Sequence, residues 1–337
     1  MIPVILKRIA EHCTFHKLKR FFVVFHGGEP LMQKACFFEC FIAKARELCP
    51  NVSLEYGIQT NGTMLTQEWV DLFKRLNIQI GISIDGPEEA SRHRVLRSNG
   101  MPAYKKIIRG VNLIKSNGLN LCTLSVINTE ITASETYRYL KDLDVDYTDF
   151  LYPDVTYDAV VDTSLSAWII ELFDCWYNDK EKKPTIRYFE LVIKLLLGFD
   201  LGFEALGRHE NKTLCIKTNG NIDLVDSLKI CGDGFTHTGF NVMQHSFDAS
   251  FSDEVLQSYY FSHADSVLCE RCKVCQVRDI CGGGKFPHRF SRQNRFDNPS
   301  VYCESIRGLI YHIQGRLFED IPEVMNKCNV QRLNSNL

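Results

Sequence analysis

Cys272, Cys275, Cys281 and Cys303 follow the spacing C-x2-C-x5-C-x21-C, and three glycines, Gly282 to Gly284, come directly after the third. Thiolates are soft donors, so four of them brought to one point form a cage for zinc or for an iron–sulfur cluster. The second occupant would add electron transfer to the chemistry of the chain. Spacing alone leaves both open.

A second group of chemistry-bearing residues stands where apolar runs end: His26-Gly27-Gly28-Glu29-Pro30, Gln59-Thr60-Asn61-Gly62, Ser83-Ile84-Asp85-Gly86 and Ser125-Val126-Ile127-Asn128. Two glycines let a ligand approach the backbone, and a carboxylate beside them can receive an ammonium group. On local chemistry alone the first is also a plain glycine turn.

The elements that must position these residues follow from periodicity. Residues 21–26, 52–58, 78–84, 121–127 and 146–152 read as strands, and 33–48, 66–76, 101–117 and 132–143 as helices, with Thr66 and Thr132 as N-caps. This alternation predicts an α/β fold of consecutive βα units on a parallel sheet, which places ligands at the carboxyl ends of the strands. Predicted helices at 165–177 and 185–197 break the rhythm, and the chain then becomes short-stranded and cysteine-rich. The expected organisation is a partial barrel over 1–153, a helical bridge over 154–213, a cysteine-rich domain over 214–316 and a tail over 317–337.

With 337 residues, 45% hydrophobic and 24% charged, the chain can build a large core. A formal net charge of -2 with interspersed signs offers no basic footprint for nucleic acid or anionic lipid, and no apolar stretch is long enough to span a bilayer. Neither partner is expected, and the location expected is cytoplasmic. Without an export signal, the 14 cysteines argue for metal ligation over disulfides. The scattered ones (Cys13, Cys36, Cys40, Cys49, Cys122, Cys175, Cys328) are expected to pack as small hydrophobes.

GGEP, QTNGTML and GISIDGP in that order, followed by a cysteine domain, resemble the radical S-adenosylmethionine (radical SAM) enzymes that carry a SPASM domain. HGGEPL, SVIN, DFLYPD, VDSLK, CGGG and FDNPSVYC look closest to the peptide maturases that form three-residue cyclophanes. The resemblance implies a (β/α)6 barrel missing its first strand, a 5'-deoxyadenosyl radical, and a crosslink between an aromatic ring carbon and a β-carbon of a precursor peptide. It implies an electron donor such as flavodoxin or ferredoxin. It also implies that Gly27, Gly28 and Glu29 meet the methionine end of S-adenosylmethionine, with Ser83 and Asp85 near its binding face. Gln59 and Asn61 are further candidates, though polar strand ends also cap helices. Arg94 would grip the cofactor carboxylate, or stand as a solvated surface arginine. Cys272, Cys275, Cys281 and Cys303 would ligate one auxiliary 4Fe-4S cluster, with zinc as the rival occupant. Cys215 and Cys231, bracketing a predicted hairpin, resemble ligands of a second cluster with Cys269 as a third, but Lys285 stands where sulfatase-maturing relatives supply another thiolate. Asp233 lies within one residue of a base used by those relatives.

One departure counts against turnover. The CxxxCxxC loop that holds the catalytic cluster in this family does not occur in the sequence, and Cys36-x3-Cys40 lies on a predicted helix with Ala43 in place of a third thiol. Residues 1–20 resemble the helix that follows that loop, so the chain is expected to begin inside the barrel, through a late start, trimming or natural loss. Such a chain is expected to be inactive and to expose the edge of strand 21–26. The expected functions are therefore radical SAM peptide modification, a peptide- and cluster-binding remnant, or a zinc-stabilised module.

Overall fold

The computed structural model describes residues 1–96, 99–328 and 332–333; part of the expected tail, residues 329–331 and 334–337, lies outside the described residues. Its first part is α1 (Ile2–Phe15), β1 (Arg20–Phe25), α2 (Ala35–Leu48), β2 (Ser53–Thr60), α3 (Gln67–Leu76), β3 (Ile78–Ser83), α4 (Tyr104–Ser116), β4 (Cys122–Val126), α5 (Ala133–Asp142) and β5 (Tyr147–Leu151). Then come α6 (Leu165–Asn178), β6 (Thr185–Ile186) and α7 (Arg187–Leu196). All six strands pair in parallel in the order β1-β2-β3-β4-β5-β6, so the α/β expectation holds. The sixth strand was not legible. Its two residues, within the segment read as a bridge, are too few to show any alternation, and only pairing with Tyr147 and Thr148 makes them a strand.

Side chains alternate across each strand, and the two sets meet different surroundings. Phe25 of β1 packs edge-on against Phe37, Phe38 and Phe41 of α2, with ring centroids 6.1, 5.1 and 5.2 Å apart. Ile80 and Ile82 of β3 are likewise buried. Phe22, Gln59, Ser83 and Asp149 belong to the opposite face. Gly57 and Gly81 make room there: a Cβ on Gly57 would lie 3.0 Å from the Phe22 ring, and one on Gly81 would lie 2.3 Å from the Gln59 side-chain oxygen. Thr66 caps α3, and Thr132 with Glu135 forms a reciprocal capping box on α5. β1 is the end strand of the sheet, with Phe22 and Val24 half exposed.

The second part begins with β7 (Gly202–Phe203) and β8 (Leu206–Gly207), then β9 (Cys215–Ile216), β10 (Asn221–Asp223) and β11 (His237–Asn241), an antiparallel group in the order β11-β10-β9. Short helices follow: α8 (Phe247–Ser250), α9 (Glu254–Tyr260), α10 (Glu270–Lys273) and α11 (Arg278–Cys281). The long α12 (Cys303–Asp320) returns to the first part, where His312 and Arg316 both reach Asp174 of α6 at 2.8 and 3.0 Å. The Tyr302 hydroxyl donates to the Pro153 carbonyl at 2.9 Å, fixing the start of α12 beside the end of β5.

Three of the scattered cysteines depart from the expected packing role. Cys36 and Cys40 are exposed, because the stripe that α2 buries is Phe38, Phe41, Ile42 and Ala45 on its other side. Cys328 is also exposed, whereas Cys13 and Cys49 are buried.

Candidate functional site

Backbone and short polar side chains make up the rim at the carboxyl ends of β1 to β4. Gly27 has φ +126°, which disfavours any residue with a Cβ, whereas nothing lies within 4 Å of where a Cβ would stand on either Gly27 or Gly28. Packing therefore does not demand these glycines, and the open space in front of them fits a ligand that approaches the main chain. Glu29 is more occupied than its sequence position suggested. One of its oxygens accepts from the Leu31 amide at 3.0 Å and the Thr60 hydroxyl at 2.6 Å, and the other from the Asn61 amide at 3.0 Å, stitching the end of β1 to that of β2.

Gln59 donates to the Ser83 hydroxyl at 3.0 Å, and the Asn61 side-chain oxygen accepts from the Thr63 amide and hydroxyl at 2.9 and 2.7 Å. Arg94 is not solvated and alone: it makes a two-pronged contact with Asp85 at 2.6 and 2.7 Å, and Asp85 also accepts from the Val126 amide at 2.9 Å. The arginine fork is spent on holding that carboxylate at the rim.

The four spaced cysteines lie on short helices and turns around Gly282 to Gly284, all three glycines in the left-handed region, with Cys303 opening α12. Burial, then the neighbouring Cys303, pushes the Cys281 thiol up to about 12, and Cys275 also acts on Cys281 and on Cys303. Burial likewise raises Cys272, with Cys269 and Cys281 adding to the effect. The thiols thus converge on one region. Among the described residues, however, no three of their sulfurs lie within 4.8 Å of one another. A single tetrahedral zinc at about 2.3 Å would need sulfurs only about 3.8 Å apart. Four soft thiolates gathered in one region suit an iron–sulfur cluster as well as a zinc ion.

Arg289 supplies the second sign of a buried anion. It is 1% exposed and donates to four carbonyls, those of Ser262, Gly282, Gly283 and Gly284, at 2.6, 2.8, 2.9 and 3.0 Å. No carboxylate pairs with it among the described residues. Burial lowers it to about 10, and the charges that oppose this are Cys272, Cys281 and Cys269. A buried cation held by neutral dipoles beside thiolates is what an anionic centre requires. Sequence reading missed this residue, although its place five residues after the last glycine of CGGG was visible.

The other thiols are arranged differently. Cys269 sits against Cys272, not with Cys215 and Cys231. Cys215 feels Glu204, and Cys231 feels Asp154. Lys285 bridges those carboxylates: its ammonium is 2.9 Å from Asp154 and 3.9 Å from Glu204, and His288 is 3.3 Å from Asp154. Burial would raise Asp154, but His288 and Lys285 outweigh it and hold the carboxyl below its ordinary range. Lys285, which stands where the resemblance would supply a further thiolate, is ion-paired within this network.

Beside this network lies a cavity of about 510 Å³, lined among others by Asp149, Tyr152, Arg187, Phe203, Lys285 and His288. Asp149 is 6% exposed and accepts from the Arg187 Nε at 2.7 Å; burial raises its carboxyl even against that cation. Asp233 stands exposed in the turn between Gly232 and Gly234 and is not among the cavity-lining residues. Among the described residues, no helix is long and apolar enough to cross a membrane.

Comparison with known proteins bears on the fold and the family. Residues 3–143 match the radical SAM superfamily model. A serine-type anaerobic sulfatase-maturating enzyme of Bacteroides thetaiotaomicron is 26% identical over 317 residues, covering 85% of this chain and 74% of its own. The solved structure of native anSMEcpe with bound AdoMet and Kp18Cys peptide superimposes with TM-score 0.78 at 22% identity, covering 97% of this chain and 90% of that one. Streptococcus suis SuiB bound to precursor peptide SuiA shares the fold more loosely, with TM-score 0.57 at 14% identity over 88% of this chain and 68% of that one. The chain carries a radical SAM domain and is a homologue of the anaerobic sulfatase-maturating enzymes.

Proposed function

We propose that this chain is of the radical SAM maturase type, whose substrate is a ribosomally made precursor peptide in which an aromatic ring carbon is joined to a β-carbon, and that turnover needs the CxxxCxxC ligands these 337 residues lack. The observation that carries this reading is the 510 Å³ cavity between the end of β5 and the cysteine-rich part. Its wall combines Tyr152 and Phe203 with the Asp149–Arg187 pair and Lys285, a surface suited to an aromatic side chain and the polar backbone around it.

When bound and given one electron, S-adenosylmethionine would break into methionine and a 5'-deoxyadenosyl radical able to take a hydrogen atom from the peptide. Gly27 and Gly28 would hold its methionine end by their backbone, with Ser83 and the Asp85–Arg94 pair bounding the site. The CxxxCxxC ligands of the catalytic cluster do not occur in these 337 residues, so no step is derived through that cluster. Cys272, Cys275, Cys281 and Cys303 would hold one auxiliary cluster. Joining two carbons removes two hydrogens from the peptide, one as an atom and one as a proton with an electron left over. Asp149, its carboxyl raised by burial, faces the cavity as the acceptor of that proton. The left-over electron has a place to go in the auxiliary centre.

The test is anaerobic co-expression with the peptides encoded beside the gene, using this frame and any longer frame whose upstream DNA encodes CxxxCxxC. A peptide lighter by two hydrogens, with the new bond mapped by fragmentation, is expected. An oxidised serine or cysteine in place of a crosslink would overturn the reading in favour of sulfatase-type maturation. The lack of CxxxCxxC in the sequence favours a second reading, a peptide- and cluster-binding protein without turnover. Stop codons directly upstream, with peptide bound but unmodified, would establish that one.

A further inference from the structure

Beside the first helix, three metal-type donors meet. His12 and His16 are four residues apart, one turn of α1 and its C-cap, so their rings share a face. Their centroids are 4.5 Å apart. Both address one oxygen of Asp248 in the first turn of α8: His12 Nδ1 at 3.0 Å and His16 Nε2 at 2.6 Å. All three donor atoms lie within 4.8 Å of one another, the one such group among the described residues.

We propose that His12, His16 and Asp248 form a binding site for a divalent transition-metal ion, with zinc as the ion of best fit, joining the barrel's first helix to the cysteine-rich part. Two imidazoles and a carboxylate are borderline donors suited to zinc, and three protein ligands leave a fourth position for water. Zinc bonds of about 2.1 Å place ligand atoms about 3.4 Å apart, so each histidine–aspartate pair need open by less than about 1 Å to admit the ion. Each neutral imidazole turns a lone pair inward and carries its proton on the other ring nitrogen.

The surroundings hold the donors in place. Phe21 and Phe247 lie edge-on to the His12 ring, with centroids 6.3 and 6.1 Å away. Arg8, one turn earlier on α1, donates through Nε to the Val242 carbonyl at 2.9 Å, so the two parts already meet in register. The side chains of His12, His16 and Asp248 are 20, 43 and 32% exposed, which leaves the ion a way in. The C-terminal end of α1 carries partial negative charge, which favours a cation there.

The experiment uses the whole chain with its iron–sulfur cluster reconstituted, so that the thiols are occupied, after dialysis against a chelator. Zinc sulfate is titrated in by calorimetry, and bound metal is counted after gel filtration. One zinc per chain is expected beyond the iron, and it is lost in both H16Q and D248N while iron and sulfide content stay unchanged. Zinc should also raise the melting temperature of the parent and leave that of either variant unmoved. Retention of the same zinc by H16Q and D248N, or no zinc taken up by the parent, would overturn the proposal. Neither readout depends on peptide modification, so the outcome is separate from that of the proposed function.

Discussion

Replacing Arg289 by methionine probes the cysteine cage from within. The guanidinium makes four hydrogen bonds to carbonyls and is 1% exposed, so the substitution leaves four buried acceptors without their donor. Breaking such a site costs about 3 to 5 kcal/mol in the cluster-loaded protein. In the protein stripped of its cluster the same change costs less, because it also removes a buried cation that has lost its anion. The second consequence is electronic. A unit charge beside an anionic centre, at an effective dielectric of about 20, is worth on the order of 1 to 4 kcal/mol. Removing a positive charge disfavours the more negative, reduced cluster, so the potential falls, by on the order of 100 mV for one electron. Redox titration followed by electron paramagnetic resonance, with melts before and after chelation, reads both effects. An unchanged potential, with equal loss of stability in the loaded and stripped proteins, would refute the idea that Arg289 balances an anionic cluster. R289K is an informative companion, since a point charge keeps part of the potential but not the four-fold grip.

Gly28→Val should leave the melting temperature unchanged while weakening S-adenosylmethionine binding at least about tenfold by equilibrium dialysis, because its Cβ enters space open in the protein. Gly27→Val should do both kinds of harm, since φ +126° adds backbone strain. His263 is 1% exposed, and burial lowers it to about 4 from the ordinary value near 6.5. The unfolded chain therefore binds that proton more readily, and stability contributed by the neutral ring is full above about pH 6.5 and falls by about 3 kcal/mol as pH drops toward 4. Urea titrations across that window should show the slope in the parent and a shallower one in H263N. Thr132→Ala removes the capping box of α5 and should cost about 1 kcal/mol in the same assay, with no effect on iron content.

The barrel half of the molecule was largely legible because its strands and helices carry strong periodicity. Thr66 and Thr132 stand at the start of α3 and α5, where their side chains cap the first turn. The exceptions have physical reasons. β6 is two residues long and exists only through its pairing with β5. Cys36 and Cys40 are apolar enough to look like packing residues, but the phase of α2 is set by the larger Phe38 and Phe41. Arg94 was visible as a basic residue beyond β3, yet its partner Asp85 was seen only as a ligand-side carboxylate. The pairing depends on how the loop returns, which spacing does not encode. The Asp149–Arg187 and Lys285–Asp154 pairs join residues 38 and 131 positions apart, and no local pattern announces such contacts. Asp248 comes to His12 and His16 from more than 230 positions away, and no local pattern announces that contact either.

The claim on which the account turns is that Cys272, Cys275, Cys281 and Cys303 hold a single iron–sulfur cluster and that Cys215 and Cys231 hold none. Mössbauer spectroscopy with iron and sulfide quantitation on the anaerobically reconstituted chain tests it directly. Roughly four irons and four sulfides per chain are predicted, abolished by C281A and untouched by C215A or C231A. Stoichiometric zinc in place of iron, or roughly eight irons that fall by half in C215A, would contradict it.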